Sequence, residues 1–129
     1  MVTSAAVQSA LRTDPDVSLA VVFGSSARGA TSRSSDLDIG VGGVPTSRLP
    51  ALAVALSRLA GREVDLIQLE SAPPLLRFQI ARDGVLLTER TAGLWPAFQA
   101  RAMVDWWDWA PSARRFAEAA MSRLASERS

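Results

Sequence analysis

Residues 23–41 read FGSSARGATSRSSDLDIGV, and the fold turns on how this stretch is read. Just before it, Ser18-Leu19-Ala20-Val21-Val22-Phe23 is a short apolar run stopped by Gly24, the pattern of a buried strand. At its other end, Leu37, Ile39 and Val41 alternate with Asp36, Asp38 and Gly40, which gives a second strand with two unlike faces. The ten residues between Ser25 and Asp36 are too few for a parallel crossover. The two strands are therefore expected to run antiparallel, with the turn after Gly24 and the start of the Asp36 strand at one edge of the sheet.

The residue types at that edge have a definite chemistry. Gly24, without a Cβ, lets the backbone turn sharply and approach a ligand closely. Ser25 and the following Ser26-Ala27-Arg28 can open a short helix whose unpaired N–H groups and hydroxyl face an anion, which makes a phosphate seat. Arg28 could touch phosphate or simply carry surface charge. Asp36 and Asp38, two apart on a strand, project from the same face and repel each other unless a cation lies between them. Mg²⁺, a hard ion, would be held jointly by these carboxylates and a bound triphosphate. A third carboxylate, Asp65, interrupts the apolar strand Glu63–Leu69 between Val64 and Leu66. In that apolar setting it reads as buried, and because a buried, unpaired carboxylate is costly, it must have a partner or a metal. Asp36, Asp38 and Asp65 together form the ligand set of a two-metal in-line displacement.

The rest of the chain supplies the frame. Residues 4–13 read as a helix capped by Thr3 or Ser4 and ended by Asp14-Pro15-Asp16. Arg48–Ala60 reads as a helix, with leucines at helical spacing and Gly61 as its stop. Pro73–Arg82 reads as another, followed by a fourth strand over 85–88. The expected class is α/β (α+β): a small mixed sheet of about four strands flanked by helices. One domain spans 1–129, with an α/β core over 1–90 and C-terminal helices over 91–129. In the tail, Trp95, Phe98, Ala102, Trp106 and Trp109 form a one-sided stripe that reads as packing. Pro111 is expected to break the chain into a further helix. Trp107 falls off the stripe and reads as an exposed partner contact. Arg77 reads as a surface arginine of its helix, and Arg114, Arg115, Arg123 and Arg128 as a wet face.

Composition narrows the chemistry further. The 129 residues include 14 basic side chains, all arginine, and 13 acidic ones, with no His, Cys or Tyr. Cysteine or histidine metal sites, a cysteine nucleophile and a histidine base are thereby excluded. A net charge of +1 gives no reason to expect direct nucleic-acid binding, despite a sequence pI near 8.9. No run is long enough for a membrane span and no signal peptide is evident, so a cytoplasmic location without membrane contact is expected.

FGSSARGATSRSSDLDIGV, followed by EVDLIQL at 63–69 and PPLLRFQIARDGVLLTE at 73–89, resembles the nucleotidyltransferase superfamily of DNA polymerase β type. More closely, it resembles the minimal nucleotidyltransferase (MNT) antitoxins of HEPN/MNT toxin–antitoxin pairs. The resemblance implies that Gly24 and Ser25 bind phosphate, that Asp36 and Asp38 bind metal, and that Asp65 is the third acidic residue, orienting or deprotonating the attacking hydroxyl. It also implies transfer of AMP from ATP, with two Mg²⁺ ions, to a tyrosine of a HEPN ribonuclease toxin. Ser26 departs from the pattern, because many relatives carry a basic residue there. Two other readings stay open: an antitoxin that acts by binding alone, and transfer to a small hydroxylated molecule such as an aminoglycoside.

Overall fold

The computed structural model describes residues 4–24 and 36–128. Helix α1 (Ala5–Thr13) is capped by Ser4, whose Oγ accepts from the Val7 N–H at 3.3 Å. Strands β1 (Leu19–Phe23) and β2 (Leu37–Gly42) follow, then α2 (Leu49–Ala60), β3 (Val64–Gln68), α3 (Pro74–Asp83), β4 (Val85–Glu89) and α4 (Leu94–Arg128). Single 3-10 turns precede α2 and α3. Gly61 ends α2 at φ 69°, a left-handed conformation that glycine adopts without a steric penalty.

The sheet order is β3-β2-β1-β4. β1 runs antiparallel to both β2 and β4, as the short gap between β1 and β2 required, while β2 and β3 are parallel, joined by the α2 crossover. Alternation along the strands then sorts the core into two layers. Val22, Leu37, Ile39 and Val41 pack with Val7 and Leu11 of α1 and Leu52 and Leu56 of α2. Leu19 and Val21 face the other way, onto Ile80 of α3 and Trp95 and Phe98 of α4. Asp38 sits in register with Phe23, so it belongs to this second face.

Two side chains fasten the frame at places not evident from periodicity. Arg48 bridges Asp14 at 3.0 Å and Asp16 at 2.7 Å, tying the turn after α1 to the start of α2. Glu89 accepts from the Trp95 N–H at 2.8 Å and the Gly93 N–H at 3.3 Å, capping α4 with a carboxylate at its positive end.

Three expectations are corrected here. α4 is one continuous helix with Pro111 inside it. The carbonyl that proline leaves without a donor belongs to Trp107, in an exposed stretch where water can serve it. Arg77 is not a surface residue: its side chain is 19% exposed, its Nη1 donates to Asp105 at 2.9 Å, and it lies over the Phe98 ring. α3 and α4 pack closely enough to draw it in. The tryptophan stripe is core as far as Trp106, which stacks on Phe78, but Trp109 is 44% exposed because it lies past the reach of α3. Trp107 is exposed, as its off-stripe position implied.

Candidate active site

The acidic residues come together through strand register. Asp38 of β2 pairs with Phe23 of β1 on one side and with Asp65 of β3 on the other. Paired residues on neighbouring strands point to the same face, so the end of β1, Asp38 and Asp65 form one row across the sheet. Asp36, two residues before Asp38, completes the acidic edge. Ser25, Ser26 and Arg28 lie outside the described residues.

Gly24 closes the row against Asp38. Its φ is 74°, and a Cβ at this position would lie 2.5 Å from Asp38 Oδ2. Glycine is thus required twice, for the left-handed backbone and for the space the carboxylate occupies. The consequence is chemical: whatever approaches the Gly24 backbone lies beside Asp38.

The electrostatics of the row are unbalanced. Burial, then the charge of Asp65, then that of Asp36 push the Asp38 carboxyl above the usual carboxylate range, with Arg62 opposing them. Arg62 also donates to the Asp36 backbone carbonyl at 3.3 Å. A half-buried carboxylate pressed by two others favours a cation.

Asp65 itself is exposed, which corrects the view of it as a buried carboxylate in need of a partner. β3 is an edge strand, and the apolar layer over it begins further along, at Ile67 and Leu69. Its part in the site comes from its register opposite Asp38. Among the described residues no three acidic side chains are drawn together tightly enough to enclose an ion by themselves. Like charges spread apart. Such a donor set suits a hard divalent cation that takes its remaining ligands from outside the protein.

A cleft of about 310 Å³ opens next to Gly24, bounded by Phe23, Leu76, Gln79, Ile80, Arg82 and Asp83. Leu76, Gln79, Ile80 and Asp83 fall at i, i+3, i+4 and i+7 on α3, so one helix face supplies most of the wall. Arg82 is held by Asp83 at 2.8 Å and lies 5.6 Å over the Phe78 ring. Sequence reasoning missed this wall; its only signal was the helical spacing, which equally describes packing.

This fold and acidic edge define a nucleotidyl-transferring class, and the chain belongs to the polymerase beta nucleotidyltransferase family, which matches residues 6–92. In structure it is similar to a chain of a toxin–antitoxin complex with AMP-PNP, with a TM-score of 0.74 and 25% identity over 84% of this chain and 89% of that one. Two further likenesses show the fold alone. One is to a chain of the tri-AMPylated Shewanella oneidensis HEPN toxin in complex with MNT antitoxin (TM-score 0.68, 21% identity, 88% of this chain, 98% of that one). The other is to a chain of the MntA–HepT toxin–antitoxin (TM-score 0.68, 22% identity, 84% and 87%). No curated protein matches the chain by sequence. No helix among the described residues is long and apolar enough to cross a membrane.

Proposed function

We propose that this chain, acting as one nucleotidyltransferase domain, is an MNT antitoxin that transfers AMP from ATP to a tyrosine hydroxyl of a cytoplasmic HEPN ribonuclease toxin and thereby silences it. The observation that carries this reading is the row of Gly24, Asp38 and Asp65 at one end of the sheet. The likeness to a toxin–antitoxin with AMP-PNP and to a complex holding a tri-AMPylated toxin supports ATP as donor and a protein as acceptor.

Asp36, Asp38 and Asp65 would hold Mg²⁺, two ions in all, which would supply neutralisation of the charge on the phosphoryl oxygens. Gly24, Ser25 and Arg28 seat the triphosphate. Asp65, exposed and at the outer end of the row, accepts the proton of the attacking hydroxyl. The new bond joins that oxygen to the α-phosphorus, the bond from the α-phosphorus to the bridging oxygen breaks, and pyrophosphate leaves. Such chemistry asks the protein mainly for positioning and charge neutralisation.

The test is mass spectrometry of the toxin after co-expression. AMP-sized mass increments that vanish with Asp36→Asn/Asp38→Asn support transfer. Neutralisation of the toxin with no added mass would replace the enzyme with a binding antitoxin.

A further inference from the structure

The acidic row leaves the cleft beside Gly24 without a role. Across the sheet the order runs from Asp65 on β3 to Asp38 on β2, then to Phe23 at the end of β1. The cleft of about 310 Å³ opens next to Phe23 and Gly24, so it and Asp65 lie on opposite sides of Asp38. An acceptor hydroxyl that meets Asp65 approaches from the far side and leaves the cleft to the donor nucleotide.

The lining decides which part of the nucleotide fits. Phe23, Leu76 and Ile80 give the cleft an apolar floor. Arg82, the cation of its wall among the described residues, is already matched by Asp83: Nε donates to Oδ1 at 3.1 Å and Nη2 to Oδ2 at 2.8 Å. A polyphosphate tail gains nothing from an apolar floor and a neutralised arginine. A flat, uncharged heterocycle gains burial from that floor and a stacking surface from an aromatic ring.

One side chain of the wall has hydrogen-bonding capacity to spare. Of the four glutamines, Gln8 donates to the Leu87 carbonyl at 2.8 Å, Gln68 to Val44 at 2.9 Å and Gln99 to Ala81 at 3.0 Å. Gln79 makes no such bond among the described residues; it is exposed, one turn from Leu76 and from Asp83 on the face of α3 that walls the cleft. Its amide sets a donor beside an acceptor, which matches the amine and ring nitrogen on the N7 edge of adenine. Guanine shows two acceptors on that edge, leaving the amide oxygen against a lone pair.

We infer that the cleft between the end of β1 and α3 is the base subsite of the donor nucleotide, and that Gln79 selects adenine there. The inference rests on the nucleotidyl-transfer reading above and adds the group that sets its choice of base. Gln79 is a specificity-determining residue: it touches the base and leaves the phosphates to the other end of the site.

Titration calorimetry with Mg²⁺ tests the point on the wild type and on Gln79→Leu, which alters an exposed position and keeps a good helix former there. The wild type should bind AMP-PNP about tenfold or more tighter than the guanine analogue GMP-PNP. Gln79→Leu should lose that preference by weakening AMP-PNP alone. Its melting temperature should match the wild type, and so should its binding of inorganic tripolyphosphate, which carries no base. A preference that Gln79→Leu keeps would overturn the inference, as would a wild type that binds the two analogues equally. Tripolyphosphate keeps the two ideas separate. If it binds and Asp36→Asn/Asp38→Asn removes the Mg²⁺ dependence of its binding, the transfer site stands whatever Gln79 does. If neither tripolyphosphate nor AMP-PNP binds the wild type, both readings fall.

Discussion

Gly24 and Asp38 occupy one another's space: the hydrogen on the glycine Cα points at a carboxylate oxygen that a methyl group there would meet at 2.5 Å. The end of β1 and the acidic strand β2 are thereby held at a fixed separation by the absence of one carbon atom.

Gly24→Ala should therefore damage function more than stability. The positive φ and the clash cost about 1–2 kcal/mol, and the Asp38 side chain must swing aside to relieve them. Transfer activity is expected to fall at least tenfold, with a higher concentration of Mg²⁺ needed for half-maximal rate. Steady-state kinetics with Mg²⁺ and ATP varied independently would show it.

Asp38 should couple cation binding to pH. Its carboxyl titrates above the ordinary range because of burial and the charges of Asp65 and Asp36. The folded state thus holds this proton more tightly than the unfolded chain, and without cation the stability contribution falls as pH rises from the unfolded value through the raised one. A bound cation reverses the penalty. The rise in melting temperature given by Mg²⁺ with AMP-PNP should accordingly grow with pH over that window, while Asp38→Asn melts higher than wild type without Mg²⁺ at pH 7 and gains little from it. Transfer by the variant should drop by about 10³-fold, the scale on which charge stabilisation at a phosphoryl centre acts. Differential scanning fluorimetry across pH, with and without ligand, reads the first effects and a transfer assay the last.

The Asp14–Arg48 bridge should appear in acid stability. Arg48 holds the Asp14 carboxyl below its usual range, so the contribution is present above the unfolded value and lost as pH falls through the folded one. Arg48→Ala should melt lower than wild type at pH 7, with the difference closing as the pH drops below about 4. Circular dichroism melts across pH measure this.

Glu89→Ala removes the carboxylate cap from the first turn of α4, leaving the N–H groups of Gly93 and Trp95 to water. The expected loss is about 1 kcal/mol, or about 4 °C in melting temperature, with transfer activity unchanged at temperatures where the protein is folded. Thermal melts paired with the transfer assay would separate the two.

Strand identity, the antiparallel turn, the acidic pair and the third carboxylate were all legible in the amino-acid order, because alternation and chain length are local properties that a strand and a short connection cannot evade. What local pattern could not supply was exposure. Asp65 looks buried when read between Val64 and Leu66, and only the sheet order places it on an edge strand ahead of the apolar cover. Pro111 looks like a break because proline lacks an N–H, yet an exposed helix loses only one bond to water and runs on. Arg77 has the spacing of a surface residue, and the approach of α4 turns it into a partner for Asp105.

The sequence by itself determined which residues could do phosphoryl chemistry, since with no histidine, cysteine or lysine the charged candidates reduce to carboxylates and arginines. Only the tertiary structure decided how they meet. Parallel pairing of β2 with β3 sets Asp38 opposite Asp65, and antiparallel pairing of β1 with β2 brings Gly24 to the same end. Those are relations between segments far apart in the chain, fixed by burial of the sheet's two faces rather than by any neighbour in sequence.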